Sequence, residues 1–387
     1  MYIKRDAANT LKTLSKGFPV LAITGPRQSG KTTLAKHTFD HLDYVSLETP
    51  TNRQFAIEDP VGFLAQYKKG AIIDEAQNCP DLFSYIQEIV DLDKKMAQFV
   101  LTGSLQFGLM SGITQSLAGR VGMIELLPFS LNELNVSRLS LDEVLMRGFY
   151  PPVFDRDLSS SIWLEDYVKT YLEKDVRQLI NIKDLNLFQK FLRLCAARTG
   201  QLLNIAELCN AADVTVKTGR SWLSVLETSY IIFMLAPHHK NFSKKLVKTP
   251  KLYFYDSGLL AHLLNISRCE DLALSPFRGQ IFESMIVSEF HKQKKNFRGQ
   301  QSFYFWRDNK GVEVDLLVEA GLLLTPIEVK SGQTINKEFF KNISLYRKYA
   351  GKESGMPKLI YAGDKGQKRS LAQVLSWRQS TEFCDRK

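Results

Sequence analysis

Gly25, Gly30, Lys31 and Thr32 stand in the order G-x-x-x-x-G-K-T between an apolar run, FPVLAITG, and a helix-compatible one, LAKHTF. Strand, glycine-rich loop and helix in that succession predict an α/β unit. The whole loop, Gly25, Pro26, Arg27, Gln28, Ser29, Gly30, Lys31, Thr32 and Thr33, is assigned to binding ATP. Glycines let the backbone curl until its N–H groups face phosphates, and the following helix start adds a positive dipole end. Lys31 would reach the β- and γ-phosphates, and the Thr32 hydroxyl would ligate Mg²⁺.

A second apolar run, GAIIDEAQ at residues 70–77, ends in two carboxylates. Strand ends are where ligands bind in open α/β sheets, so Asp74 is expected to hold Mg²⁺ and Glu75 to polarise an attacking water. That pair favours water as acceptor over a small-molecule phosphotransfer. Gln77 reads equally as a polar contact or as a surface residue. In the third run, QFVLTGS, Thr102 or Ser104 is placed to sense the γ-phosphate; satisfying a loop amide is the competing reading. Arg120 precedes a further strand, and can be either a finger on the transferring phosphoryl group or a partner for a nearby carboxylate.

The order GPRQSGKTT, IIDEAQ, LTGS, LAGR and ELLPFSLNE resembles the AAA-like P-loop ATPases of bacteria and archaea whose C-terminal half is an uncharacterised domain of restriction-endonuclease-like fold. The resemblance spans nearly the whole chain. It implies a doubly wound ATPase domain over residues 1–150, and an oligomer in which Arg120 acts on a neighbouring subunit's nucleotide.

Two prolines in YPPVFD break the pattern near residue 151. A connecting helix is predicted over Ile162–Ile180 and another over Leu187–Ala197. Residues 204–237 then read as short helix, turn, longer helix and strand, a winged-helix shape within a 151–265 segment. As a DNA-binding module it would present Lys217, Thr218 and Arg220 to a groove. Behind them, the arm PHHKNFSKKLVKTPK offers five lysines, Lys244, Lys245 and Lys248 among them, for phosphate contacts. A module that only packs domains together accounts for the same pattern.

Residues 266–387 carry Glu283 on a helix, Glu313 and Asp315 two apart on a strand, and Glu328 and Lys330 two apart on the next. This order resembles the PD-(D/E)xK nuclease superfamily. The resemblance implies Mg²⁺ on Asp315 and Glu328, oriented by Glu283, with Lys330 activating water. A folded but non-catalytic domain remains the alternative. Nearby, Lys292, Lys294, Lys295 and Arg298 precede Phe303–Trp306, a mixture that suits single-stranded bases or a strand with a buried aromatic face. SLAQVLSWRQSTEF is expected to be a closing helix.

Of 387 residues, the first 150 carry 15 basic and 16 acidic side chains and the rest 36 and 25. A polyanion-binding surface is therefore expected in the second part, with DNA a better fit than RNA. Five scattered cysteines without a C-x-x-C pair, and no apolar run near 20 residues, lead us to expect a cytoplasmic protein off the membrane. The function expected is Mg²⁺-dependent ATP hydrolysis that gates nucleic-acid contact. The alternative is a nucleotide-dependent switch for a protein partner with an inactive nuclease-like domain.

Overall fold

The computed structural model describes residues 2–104, 113, 116–156, 158–171, 184–238 and 247–380. Near the N-terminus, β1 (Val20–Thr24), β2 (Asp43–Ser46), β3 (Ala71–Asp74), β4 (Phe99–Gly103) and β5 (Val121–Glu125) form a wholly parallel sheet in the order β2-β3-β4-β1-β5. The continuous apolar runs are explained by burial on both faces. Val20, Ala22, Ile73 and Leu101 enter one core, while Leu21, Ile23, Ile72 and Val100 enter the other. Because all five strands run the same way, Thr24, Ser46, Asp74 and Gly103 finish at one edge. The loop after β1 leads there into the helix Lys31–Thr38.

The sequence places the end of the first domain at the prolines near 150. Leu127 to Tyr150 leave the parallel sheet and share one core with the middle and C-terminal segments, reaching as far as Trp377.

In the middle segment, helices run over Ser160–Tyr171, Leu185–Ala197, Ile205–Ala211 and Val216–Thr228. Residues 172–183, the rest of the expected connecting helix, lie outside those described. The Thr215 hydroxyl accepts the Thr218 N–H and starts the last helix. A two-stranded antiparallel pair follows, β6 (Ile232–Leu235) with β7 (Lys251–Phe254). It joins the C-terminal part through His238 N–H to Phe305 O at 2.8 Å and Phe305 N–H to Ala236 O at 3.1 Å.

The C-terminal part packs the helix Arg278–Phe297 on a six-stranded mixed sheet. Its strands are β8 (Ser302–Arg307), β9 (Glu313–Ala320), β10 (Leu323–Lys330), β11 (Lys358–Tyr361), β12 (Gln367–Lys368) and β13 (Gln373–Ser376), ordered β12-β13-β11-β10-β9-β8. The expected closing helix is instead β13 and a short turn over Trp377–Gln379. Ala372 and Val374 enter one core and Leu375 and Trp377 the other, a period near two that a helix cannot satisfy. The aromatic run 303–306 is a strand with Phe305 and Trp306 fully buried, while Lys292 is buried and Lys295 pairs with Glu125. No helix among the described residues is long and apolar enough to cross a membrane.

Candidate functional site

The loop after β1 is built around two glycines whose conformations exclude other residues. A Cβ on Gly25, at φ +143°, would lie 2.1 Å from the Leu126 carbonyl oxygen, and Gly30 has φ +90°. Gln28 is also left-handed, at φ +64°. Arg5, which the sequence did not single out, anchors this loop from below. Its guanidinium donates to Ser29 O and Leu127 O, both at 2.7 Å, and to Glu133 at 3.0 Å. Lys31 is 6% exposed, its ammonium donating to Gly25 O at 3.0 Å and Pro26 O at 2.8 Å.

Asp74, at the end of β3, gathers three hydroxyl donors. Thr32 lies 3.1 and 3.0 Å from its two oxygens, Tyr44 donates at 2.9 Å, and Thr102 donates to Oδ1. Burial and the neighbouring Asp74 push the Tyr44 phenol up to about 12, so it stays a donor at neutral pH. Glu75, left-handed at φ +52°, accepts from Gln77 and, at 3.2 Å, from Ser104. Gln77 is thus a polar contact of the site. The two hydroxyls left open by the sequence divide their work: Thr102 holds Asp74 and Ser104 holds Glu75. Tyr44 gave no sequence signal, since its strand is short and its register on β3 is set only by folding.

These groups border a cavity of about 360 Å³ lined by Arg27, Gln28, Gly30, Lys31, Thr32, Thr33, Glu48, Asp74 and Glu75. Its far wall is Pro151, Pro152, Asp155 and Arg156, the start of the middle segment. A cavity of about 240 Å³ adjoins it at Gly30 and Thr33. Tyr2 and His37 stack there with ring centroids 3.9 Å apart, opposite Phe129 and Phe154. Sequence reading missed Arg156 and this aromatic lining because they come from residues far apart along the chain.

Arg120 does not reach the site of its own chain. It precedes β5, at the opposite end of the sheet, about 17 Å along five residues of strand. There it forms a two-pronged pair with Asp91 at 2.6 and 2.8 Å.

A second polar cluster lies at the C-terminal sheet. Glu283, Asp315, Glu328 and Lys330 come together from the helix, β9 and β10. Lys330 approaches Glu328 to 2.7 Å and Asp315 to 3.6 Å, while Asp315 accepts the Val329 N–H at 2.8 Å. Burial and the charge of Asp315 push the Glu328 carboxyl up, against the pull of Lys330. Lys251 from β7 was expected among the phosphate-contacting lysines. Instead it is 2% exposed and pairs with Glu313 and, at 3.5 Å, with Glu283. Tyr253 donates to Glu283 at 2.6 Å.

As arranged, this set does not fit Mg²⁺, because lysine ammonium groups already face the carboxylates. Among the described residues no group of three or more His, Cys, Asp or Glu side chains is disposed to hold a metal. The ligand roles expected of Glu283, Asp315 and Glu328, and the water-activating role of Lys330, are taken up by ion pairing.

Of the residues expected to meet nucleic acid, Lys217 and Arg220 are exposed on the helix Val216–Thr228, and Lys248 is exposed before β7. Lys244 and Lys245 lie outside the described residues.

The family model described as an AAA domain matches residues 17–135. Two others, described as domains of unknown function (DUF8612 and DUF4143), match residues 138–270 and 278–379. Among solved structures, a Walker-type ATPase of Pyrococcus abyssi is similar at 14% identity and a TM-score of 0.46, covering 68% of this chain and 96% of that one. Uncharacterized proteins of Mycobacterium tuberculosis and Mycobacterium bovis are each 32% identical over 342 residues, 86% of this chain and 74% of theirs. The chain belongs to the family of these mycobacterial proteins, and its N-terminal part is a P-loop ATPase domain of the AAA type.

Proposed function

We propose that this protein hydrolyses ATP with Mg²⁺ and that the nucleotide state governs how the middle and C-terminal segments meet nucleic acid. Lys31 swings from its own loop carbonyls to the phosphates, and the backbone N–H groups of the loop complete their cradle. Thr32 and Asp74 lie side by side, the hydroxyl donating to the carboxylate at 3.0 and 3.1 Å, and together would hold Mg²⁺. The ion when bound neutralises charge on the β- and γ-phosphates. Glu75, fixed by Gln77 and Ser104, orients a water and accepts its proton. The Tyr2, His37, Phe129 and Phe154 lining takes the base by stacking.

The coupling rests on one observation, that Pro151, Pro152, Asp155 and Arg156 wall the loop cavity. A γ-phosphate facing Arg156 would pull on the first turn of the middle segment. In support, Thr24 at the end of β1 shares a 3.2 Å hydroxyl contact with Tyr230 of the same segment. The exposed Lys217, Arg220 and Lys248 supply the phosphate-contacting face of a winged-helix module. The C-terminal part is then the restriction-endonuclease-like domain implied by the resemblance, held in a non-cleaving arrangement by its lysines. Arg120 is kept for a neighbouring subunit in an oligomer.

The test is duplex DNA affinity with and without a non-hydrolysable ATP analogue, at two salt concentrations. We expect a nucleotide-dependent change of at least fivefold that vanishes in Lys31→Ala and in Arg156→Ala. Both affinities should fall as salt rises. Equal affinity with and without nucleotide in the wild-type chain sinks the coupling, and affinity indifferent to salt sinks the basic contact face. Stimulated hydrolysis by a protein partner alone would support the switch reading in its place.

A further inference from the structure

A cavity of about 590 Å³, larger than the one beside the phosphate loop, shares a single lining residue with it, Arg156. It is bordered by the helices Leu141–Arg147, Ser160–Tyr171 and Ser257–Leu263. Its volume lies in the range of small-ligand sites. Leu139, Met146, Leu164 and Ile266 give it an apolar wall, and Arg147 joins Arg156 in the lining. A third arginine there, Arg268, is already paired with Asp271 at 3.1 Å.

Among the described residues neither Arg147 nor Arg156 has a carboxylate partner. The half-buried Arg147 guanidinium stacks over the Phe154 ring, 4.2 Å from its centre, and donates through Nη2 to Val153 O at 3.2 Å. Those contacts hold the fork in place and leave further N–H donors for a ligand. Glu143 is the one carboxylate in the lining, and it is committed to its own helix start, where it accepts the Ser140 N–H at 2.6 Å. Two guanidiniums without an anion, beside an apolar wall, match a phosphate ester that carries an apolar body. A fork positioned before binding also loses less rotamer freedom when the anion arrives.

We propose that this cavity is a second ligand site, separate from the phosphate loop, for a phosphorylated small molecule. The apolar body lies on the wall of Met146 and Leu164, and the phosphate meets Arg147 and Arg156. Binding there requires no hydrolysis of ATP, so it is tested in the Lys31→Ala chain, whose phosphate loop is disabled.

The experiment is equilibrium dialysis of the full Lys31→Ala chain against naphthyl phosphate, naphthol and inorganic phosphate. We expect one naphthyl phosphate per chain, bound at least tenfold tighter than either naphthol or inorganic phosphate. Adding Arg147→Met should weaken it at least tenfold. Ser161 is exposed in the lining of the cavity, at a helix start where a carboxylate is tolerated. Ser161→Glu therefore sets a negative charge against the ligand without disturbing the core, should weaken binding to a similar degree, and decides the matter if Arg147→Met does not fold. No saturable binding, naphthol held as tightly as its phosphate, or an affinity unmoved by a folded Arg147→Met or by Ser161→Glu overturns the site.

Discussion

Glu75→Gln should bind ATP within a few-fold of wild type and release phosphate at least a hundredfold more slowly. General-base catalysis contributes about a hundred- to ten-thousandfold, and an amide of the same shape cannot accept the proton of the attacking water. The surroundings of Glu75 explain why binding should survive. Its carboxylate accepts from Gln77 and Ser104, whereas the phosphate and metal contacts fall to Lys31 and Thr32. Filter binding with radiolabelled ATP and single-turnover phosphate release give the two numbers. Lys31→Ala is the contrast, because it should lose both together. A Glu75→Gln chain that keeps a tenth or more of its hydrolysis would move the base to another residue of the cavity.

The parallel sheet and its loop were legible because their signals are local. An apolar run, glycines with positive φ and a lysine at fixed spacing sit within 15 residues, and the carboxylates of Asp74 and Glu75 end the next buried strand. What escaped was set by register and by approach from far along the chain. Tyr44 meets Asp74 only because Ser46 pairs with Asp74 across β2 and β3. Arg5 reaches Ser29 and Leu127 through tertiary packing that no spacing encodes. The C-terminal carboxylates were legible as a set, since helix, strand and E-x-K strand keep their order. Their lysine partner from β7 was not, because a lysine in a basic run reads as solvated. Val374 and Trp377 were misread for a related reason: in a stretch so short, a strand buried on both faces and an amphipathic helix share the same apolar content.

Lys292→Met carries the largest expected cost in stability. Lys292 and Glu289 are both fully buried and paired at 2.9 Å, inside the helix Arg278–Phe297. The pair faces the segment that connects the two halves of the chain. Glu289 accepts the Leu131 N–H at 2.7 Å, and the Lys292 ammonium lies 3.8 Å from the centre of the Phe149 ring. Removing one partner of such a pair strands the other charge in a dry core, at a cost of about 3–5 kcal/mol. Replacing both, as Glu289→Gln with Lys292→Met, should recover most of that, because no charge is left uncompensated. The pH dependence separates this cause from simple loss of packing. Burial already holds the Glu289 carboxyl above its ordinary range, with Lys292 and the Leu131 N–H pulling it down. Without the lysine it rises further. A carboxyl raised in the folded state contributes stability that is fully present below its unfolded value, about 4.3, and lost as pH rises through the folded one. The deficit of Lys292→Met relative to wild type should therefore be smallest near pH 5 and grow towards pH 8, as read by denaturant midpoints. A deficit of equal size at both pH values, undiminished in the double variant, would mean that the lysine stem rather than its charge does the stabilising.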